Sequence, residues 1–200
     1  MLKIYINNNI WDFDLAAALN SISEQRREQA LRFKHEEGQR LCVAAYLLLK
    51  RALAELFGID ENPFFIYNEH GKPSIEGRPG IFFNLSHCRE AAVCAVSDQP
   101  VGIDVETIRQ QSESLWRYTL NDDELNEVKH SAQPHVTFTR LWTMKEATLK
   151  LCGTGITNNI RHAIDKEKFR YTVVQQPRYI YTVAHAIHTS IPTVCFYMDV

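Results

Sequence analysis

The chain lacks a CxxC pair, a GxxxxGK[ST] loop, a GxGxxG turn, any low-complexity tract and any apolar run long enough to cross a bilayer. Each absence removes a class of function. Five scattered cysteines, Cys42, Cys88, Cys94, Cys152 and Cys195, are an odd number without metal-ligand spacing. They read as small reduced apolar residues of a cytoplasmic protein rather than a disulfide framework. Without the two glycine-rich loops, P-loop and Rossmann nucleotide chemistry are set aside. The longest apolar segment, Leu41 to Leu49, is stopped by Lys50 and Arg51 after nine residues, against the roughly 20 needed to span a membrane. The start, MLKIYINNNIWDFD, has no basic stretch followed by an apolar one, so it is not a signal peptide. A formal net charge of −2 provides no basic field for nucleic acid. No nucleic-acid and no membrane partner is expected.

What is present is an ordinary globular balance, 45% hydrophobic and 23% charged over 200 residues, enough to bury a substantial core. Leu2 to Ile6 alternates as a first strand. Ser21 to Gly58 reads as one or two helices, the second buried on one face and ended by Gly58. Phe64 to Tyr67 suits a short strand, and residues 68 to 80 are turn-rich around Gly71-Lys72-Pro73. Strands follow over Ile81 to Leu85, Ala91 to Ser97 and Val101 to Glu106, then a helix near Asp122 to Lys129 capped by Asn121. A helix over Phe138 to Cys152 closes at Gly153 and Gly155, and short strands over Phe169 to Val174, Tyr179 to His188 and Thr193 to Met198 complete the chain. Helix then strands, twice over, points to two α/β halves.

Three stretches carry candidate chemistry. In Val101-Gly-Ile-Asp-Val-Glu106, strand alternation sends Val101, Ile103 and Val105 to a core and Gly102, Asp104 and Glu106 to the other face. Two carboxylates on one strand face invite a hard divalent cation with oxygen ligands, unless the face merely carries solvated acids. In Leu141-Trp-Thr-Met-Lys-Glu-Ala-Thr-Leu-Lys150, the residues Trp142, Glu146 and Lys150 recur every four and share one helical stripe. Glu146 and Lys150 are either a plain surface pair or, if the stripe faces the acidic strand, a third oxygen ligand and a phosphate contact. In Phe82-Phe-Asn-Leu-Ser-His-Cys88, adjacent Ser86 and His87 point to opposite strand faces and lack a GxSxG elbow. That disfavours a nucleophile and its base, and suits phosphate donors or a turn serine and a satisfied histidine. Lys72 on its turn and Arg40 before a buried helix add two cationic groups for a polyanion.

Taken in order, GKP (Gly71 to Pro73), FNLSH (Phe83 to His87), VGIDVE (Val101 to Glu106) and WTMKEATLK (Trp142 to Lys150) resemble the 4′-phosphopantetheinyl transferase superfamily, in its surfactin-synthetase-activating (Sfp) type. The resemblance implies an α+β fold: two similar halves in pseudo-two-fold arrangement, each a small sheet packed on a long helix. The active site would lie in the cleft between an N-terminal half, 1–100, and a C-terminal half, 101–200. It implies coenzyme A as substrate and Mg²⁺, with Mn²⁺ as an alternative, held by Asp104, Glu106 and Glu146. Glu146 and Lys150 would be catalytic, and Arg40, Lys72, Pro73, Ser86, His87, Asp104 and Lys150 would meet coenzyme A. Basic residues near the first long helix bind the ribose phosphate in the family; here Arg26 and Arg27 are present while Gln25 and Glu28 stand where lysines are expected. Glu124 falls in a further family block. The partner implied is an apo acyl or peptidyl carrier protein of fatty-acid, polyketide or nonribosomal-peptide synthesis, served by a monomer. The alternatives are a metal-dependent phosphohydrolase and a non-catalytic coenzyme A- or carrier-binding relative.

Overall fold

The computed structural model describes residues 1–155, 160–188 and 192–196. Strand β1 (Leu2–Asn7) is followed by three helices, α1 (Leu15–Ser21), α2 (Glu24–Leu31) and α3 (Glu36–Phe57). A hairpin of β2 (Phe65–Tyr67) and β3 (Pro73–Ile75) leads into β4 (Phe82–Cys88), β5 (Ala91–Ser97) and β6 (Val101–Thr107). Helices α4 (Glu113–Thr119), α5 (Asp122–His130) and α6 (Pro134–Cys152) come next. Strands β7 (Phe169–Gln175), β8 (Tyr179–Ala186) and β9 (Thr193–Phe196) end the described chain. The expected continuation of the last strand to Met198 lies outside the described residues. No described helix is long and apolar enough to cross a membrane.

The strands form a four-stranded sheet in the order β4-β5-β1-β9 and a three-stranded sheet in the order β6-β8-β7. All pairings are antiparallel except β1 with β9. Alternation sorts the side chains between layers. Tyr5, Phe83, Ala92, Cys94 and Val96 face α3 and pack on Leu41, Ala45, Leu48, Leu49 and Leu53. Leu2, Ile4, Ile6, Val93 and Ala95 face the other way and meet Val101, Ile103, Val105, Tyr181 and Val183 of the second sheet. The second sheet's far side is covered by α6, where Ala147 and Leu151 pack on Ala184. Each half is thus a small sheet on a long helix, as expected, and the two sheets stack back to back with α3 and α6 outermost. Pro100, where the expected halves divide, lies in the turn before β6, and β9 lies in the first sheet.

Two side chains join the sheets where backbone pairing stops. Asn84 Oδ1 accepts from the Ile103 N–H at 2.8 Å, and Ser86 Oγ accepts from the Val105 N–H at 3.3 Å. Residues two apart on β4 therefore satisfy residues two apart on β6, whose N–H groups would otherwise be buried orphans.

Helix α6 lies unusually close to β6, and Gly102 is the reason. A Cβ there would fall inside the Ala147 carbonyl oxygen and 2.5 Å from the Leu151 nitrogen. Both obstacles are helix backbone and cannot swing aside. Gly102→Ala is therefore expected to push α6 off the sheet and lower stability by about 3 kcal/mol, read by urea denaturation. An unchanged midpoint would show that the helix is not held at that distance.

Candidate active site

The site is assembled by β4, β6 and α6. On β6, Asp104 follows Gly102 on the face turned to α6 and is 3% exposed. From α6, the stripe Trp142, Glu146 and Lys150 faces the same space. These residues line a cleft of about 510 Å³ together with Arg26, Phe65, Pro73, Ser86 and His87.

Lys150 Nζ lies 2.6 Å from Asp104 Oδ1 and 3.0 Å from Ser86 Oγ. Its partner is thus the strand acid rather than Glu146, so the surface-pair alternative does not describe it. Ser86 Oγ donates to the same Asp104 oxygen at 3.0 Å. Trp142 Nε1 donates to Glu106 Oε1 at 3.1 Å, and the indole is stacked on Phe138. Asp104 Oδ2 and Glu146 Oε1 are buried without any hydrogen-bond partner. Two unpartnered carboxylate oxygens in one cleft are costly unless something positive meets them.

The acid–base balance carries the same signature. Burial, then the negative charge of Asp104, pushes Glu146 up to about 7, and the same two causes raise Glu106. Burial, helped by the charges of Arg26 and Lys150, lowers His87 to about 4, so it is a neutral imidazole at physiological pH. Among the described residues no three His, Cys, Asp or Glu side chains are already gathered at metal-ligand distances. The donor set nonetheless fits a hard divalent cation: all oxygen, short of hydrogen bonds, and mutually repelling until a cation arrives.

A pH dependence follows. Glu146 has an ordinary value of 4.5 raised to about 7 by folding. Its contribution to stability is present in full below about 4.5 and is lost as the pH rises through about 7. A cation that needs the carboxylate reverses this, since it binds only the deprotonated form. Mg²⁺ is expected to raise the melting temperature more at about pH 8 than at about pH 6. Equal shifts at both would mean that Glu146 does not bind the ion.

Arg40 and Lys72 make their contacts outside this cleft. Arg40 is outside the cleft: Nε pairs with Glu36 at 2.7 Å, a terminal nitrogen donates to the Phe13 carbonyl at 2.7 Å, and the guanidinium covers Trp11 and Phe13. Lys72 lines a smaller adjoining pocket with Pro73, Leu85 and Gly155. Its ammonium donates to the Leu151 carbonyl at 2.9 Å, capping the C-terminal turn of α6, and burial lowers its pKa. Pro73 borders both spaces. Leu115 and Trp116 pack on Leu120, Val128 and Phe138, leaving Tyr118 exposed.

Arg26, which the resemblance sets near the ribose phosphate, does line the cleft, with its guanidinium held by the Cys42 carbonyl at 2.7 Å and lying over the Tyr46 ring. Two features escaped sequence reasoning. Asn84 and Ser86 are sheet connectors. Lys145, beside Glu146, is completely buried and pairs with Glu124 at 2.8 Å. The same ammonium donates to the carbonyls of Ile160 and Arg161 at 3.0 and 2.8 Å. Glu124 also closes a capping box with Asn121 at the start of α5.

Residues 100–187, which span β6 to β8, match the family model of the 4′-phosphopantetheinyl transferase superfamily. Over this segment the chain belongs to the superfamily. A "4′-phosphopantetheinyl transferase" of Bacillus subtilis is 32% identical over 140 residues, covering 68% of this chain and 62% of the relative. "4′-Phosphopantetheinyl transferase HetI" of Nostoc sp. is 37% identical over 152 residues, covering 72% of the chain and 63% of the relative. "4′-Phosphopantetheinyl transferase Sfp" of Bacillus subtilis strain 168 is 27% identical over 157 residues, covering 77% and 70%. The chain thus spans a little under two thirds of the first two relatives. The likeness to Sfp is in keeping with the expected subtype of the superfamily.

Proposed function

We propose that this chain transfers the 4′-phosphopantetheine group from coenzyme A to a serine of an apo carrier protein, acting as a monomer whose single chain builds both walls of the cleft. The observation that carries this reading is the convergence of Asp104, Glu106, Glu146 and Lys150 on one cleft, with two buried carboxylate oxygens lacking partners. In this reading the serine oxygen forms a bond to the β-phosphorus of coenzyme A. The bond from that phosphorus to the bridging oxygen breaks, and adenosine 3′,5′-bisphosphate departs.

Asp104, Glu106 and Glu146 would hold Mg²⁺, which when bound supplies charge neutralisation and orientation at the pyrophosphate. Glu146, which lines the same cleft, takes the proton from the serine hydroxyl, directly or through water. Lys150 places a positive charge where negative charge grows on the leaving phosphate, and preorganised charge of this kind is commonly the largest contribution to such a transfer. In this reading neutral His87 and Arg26, both on the cleft wall, donate to coenzyme A phosphates. Lys150→Ala is expected to slow transfer about a hundredfold and to weaken coenzyme A binding. A change in stability alone would make the lysine structural.

The reaction is tested by incubating the protein with apo carrier, coenzyme A and Mg²⁺ and following the intact mass of the carrier. A gain of one phosphopantetheine is expected. Phosphate release without any carrier would favour a phosphohydrolase, and binding of coenzyme A without turnover a non-catalytic relative.

A further inference from the structure

Ser86 is buried at 7% exposure between the acidic strand and α6. A serine hydroxyl has one hydrogen to donate and two lone pairs to accept with. All three are in use. The hydrogen goes to Asp104 Oδ1 at 3.0 Å, while the lone pairs receive the Val105 N–H at 3.3 Å and the Lys150 ammonium at 3.0 Å. A hydroxyl filled in this way has nothing left to offer a phosphate oxygen of coenzyme A, which corrects the expectation that Ser86 is a phosphate donor.

The carboxylate it touches is divided. Asp104 Oδ1 accepts from both Ser86 and Lys150, whereas Oδ2 is buried without a partner. Holding one oxygen from two directions fixes the rotation of the carboxylate about its last bond. The second oxygen is then kept available without being drawn into the protein's own hydrogen bonds.

We propose that Ser86 is a positioning residue for the transfer reaction: it holds Asp104 by Oδ1 so that Oδ2 stays free for a divalent cation. This inference rests on reading Asp104 as a cation ligand. The neighbouring splice supplies an internal comparison. Asn84 joins β4 to β6 through the Ile103 N–H, as Ser86 does through Val105, yet no Asn84 hydrogen bond reaches Asp104 or Lys150 among the described residues. Loss of the splice alone should affect both positions alike, and loss of positioning only Ser86.

The test is a calorimetric titration of Mg²⁺ into the full chain, without carrier, for wild type, Ser86→Ala, Ser86→Thr and Asn84→Ala, each checked for fold by circular dichroism. Ser86→Ala is expected to weaken Mg²⁺ binding about tenfold or more, the usual scale for a group that orients a metal ligand. Ser86→Thr, which keeps the hydroxyl, is expected to restore it, and Asn84→Ala to show no comparable loss. Coenzyme A affinity in the presence of EDTA should be the same for Ser86→Ala and wild type. Should Ser86→Ala not fold, Ser86→Cys replaces it with the same expected loss, because a thiol is a weak donor and a poor partner for Mg²⁺. Wild-type Mg²⁺ affinity in the Ser86 variants, an equal loss in Asn84→Ala, or weakened coenzyme A binding in EDTA would each overturn the proposal. A wild type that binds Mg²⁺ but modifies no carrier would sink the transferase reading and leave the Ser86 result standing, since this titration involves no carrier.

Discussion

Asp104→Ala is expected to lower transfer by at least about a thousandfold while the melting temperature moves by only a few degrees. The side chain is 5% exposed yet packs no core: its neighbours are the Lys150 ammonium and the Ser86 hydroxyl. In the proposed function its removal deletes a cation ligand, and a bound metal supplies several kcal/mol of transition-state stabilisation, with each 1.4 kcal/mol worth about tenfold in rate. The fold suffers less because two effects oppose each other. Lys150 loses its partner, but Glu146 and Glu106 are relieved of the carboxylate that helps to raise them. The check is a paired measurement, carrier mass gain per minute and thermal melt. Transfer at the wild-type rate would remove Asp104 from the mechanism, and a collapsed melt would make it structural.

Lys145→Met is expected to do the reverse, and its effect on stability should be among the largest of any single substitution. The Lys145 side chain is 0% exposed and that of Glu124 12%. Burial lowers the lysine pKa, and Glu124 opposes this. An ammonium in such a place is tolerated because Glu124 and the carbonyls of Ile160 and Arg161 receive its three hydrogens. Removing one partner of a buried pair costs about 3–5 kcal/mol, because the other is left uncompensated. Chemical denaturation should show that loss, with a melting temperature lower by roughly 10 °C. Adding Glu124→Gln to Lys145→Met is expected to recover part of it, since the stranded charge is then gone. A cost below about 1 kcal/mol, within the range of ordinary surface substitutions, would show that the pair does not tie α5 and the 160–161 turn to α6.

These residues show which parts of the site could be read from the chain alone. The alternation of Val101 to Glu106 and the four-residue spacing of Trp142, Glu146 and Lys150 are local geometry, and both stripes fall on the cleft. Where a long side chain ends is not local. Arg40 lies four residues from Glu36 on α3, and that pair, with the Phe13 carbonyl, turns the guanidinium away from the site. Lys72 reaches a carbonyl at the end of α6, 79 residues on. Lys145 stands four residues after Leu141 and four before Leu149, inside the packing side of α6; a lysine in an apolar stripe was the signal available, and its acid, Glu124, was legible only as part of a further family block. The major elements followed their caps and periods, including the ends of α3 at Gly58 and α6 at Gly153. Helices α1 and α4, seven residues each, and the three-residue β3 inside the turn-rich 68–80 segment did not. Elements of that length are held by tertiary contacts more than by local propensity.

In the proposed function Asp104, Glu106 and Glu146 together hold a single divalent ion beside the pyrophosphate of coenzyme A. Electron paramagnetic resonance of Mn²⁺ titrated into the protein with coenzyme A tests it most directly. One tightly bound Mn²⁺ per chain is expected, with affinity falling sharply in each of Asp104→Ala, Glu106→Ala and Glu146→Ala. Undiminished Mn²⁺ binding in those three variants would contradict it.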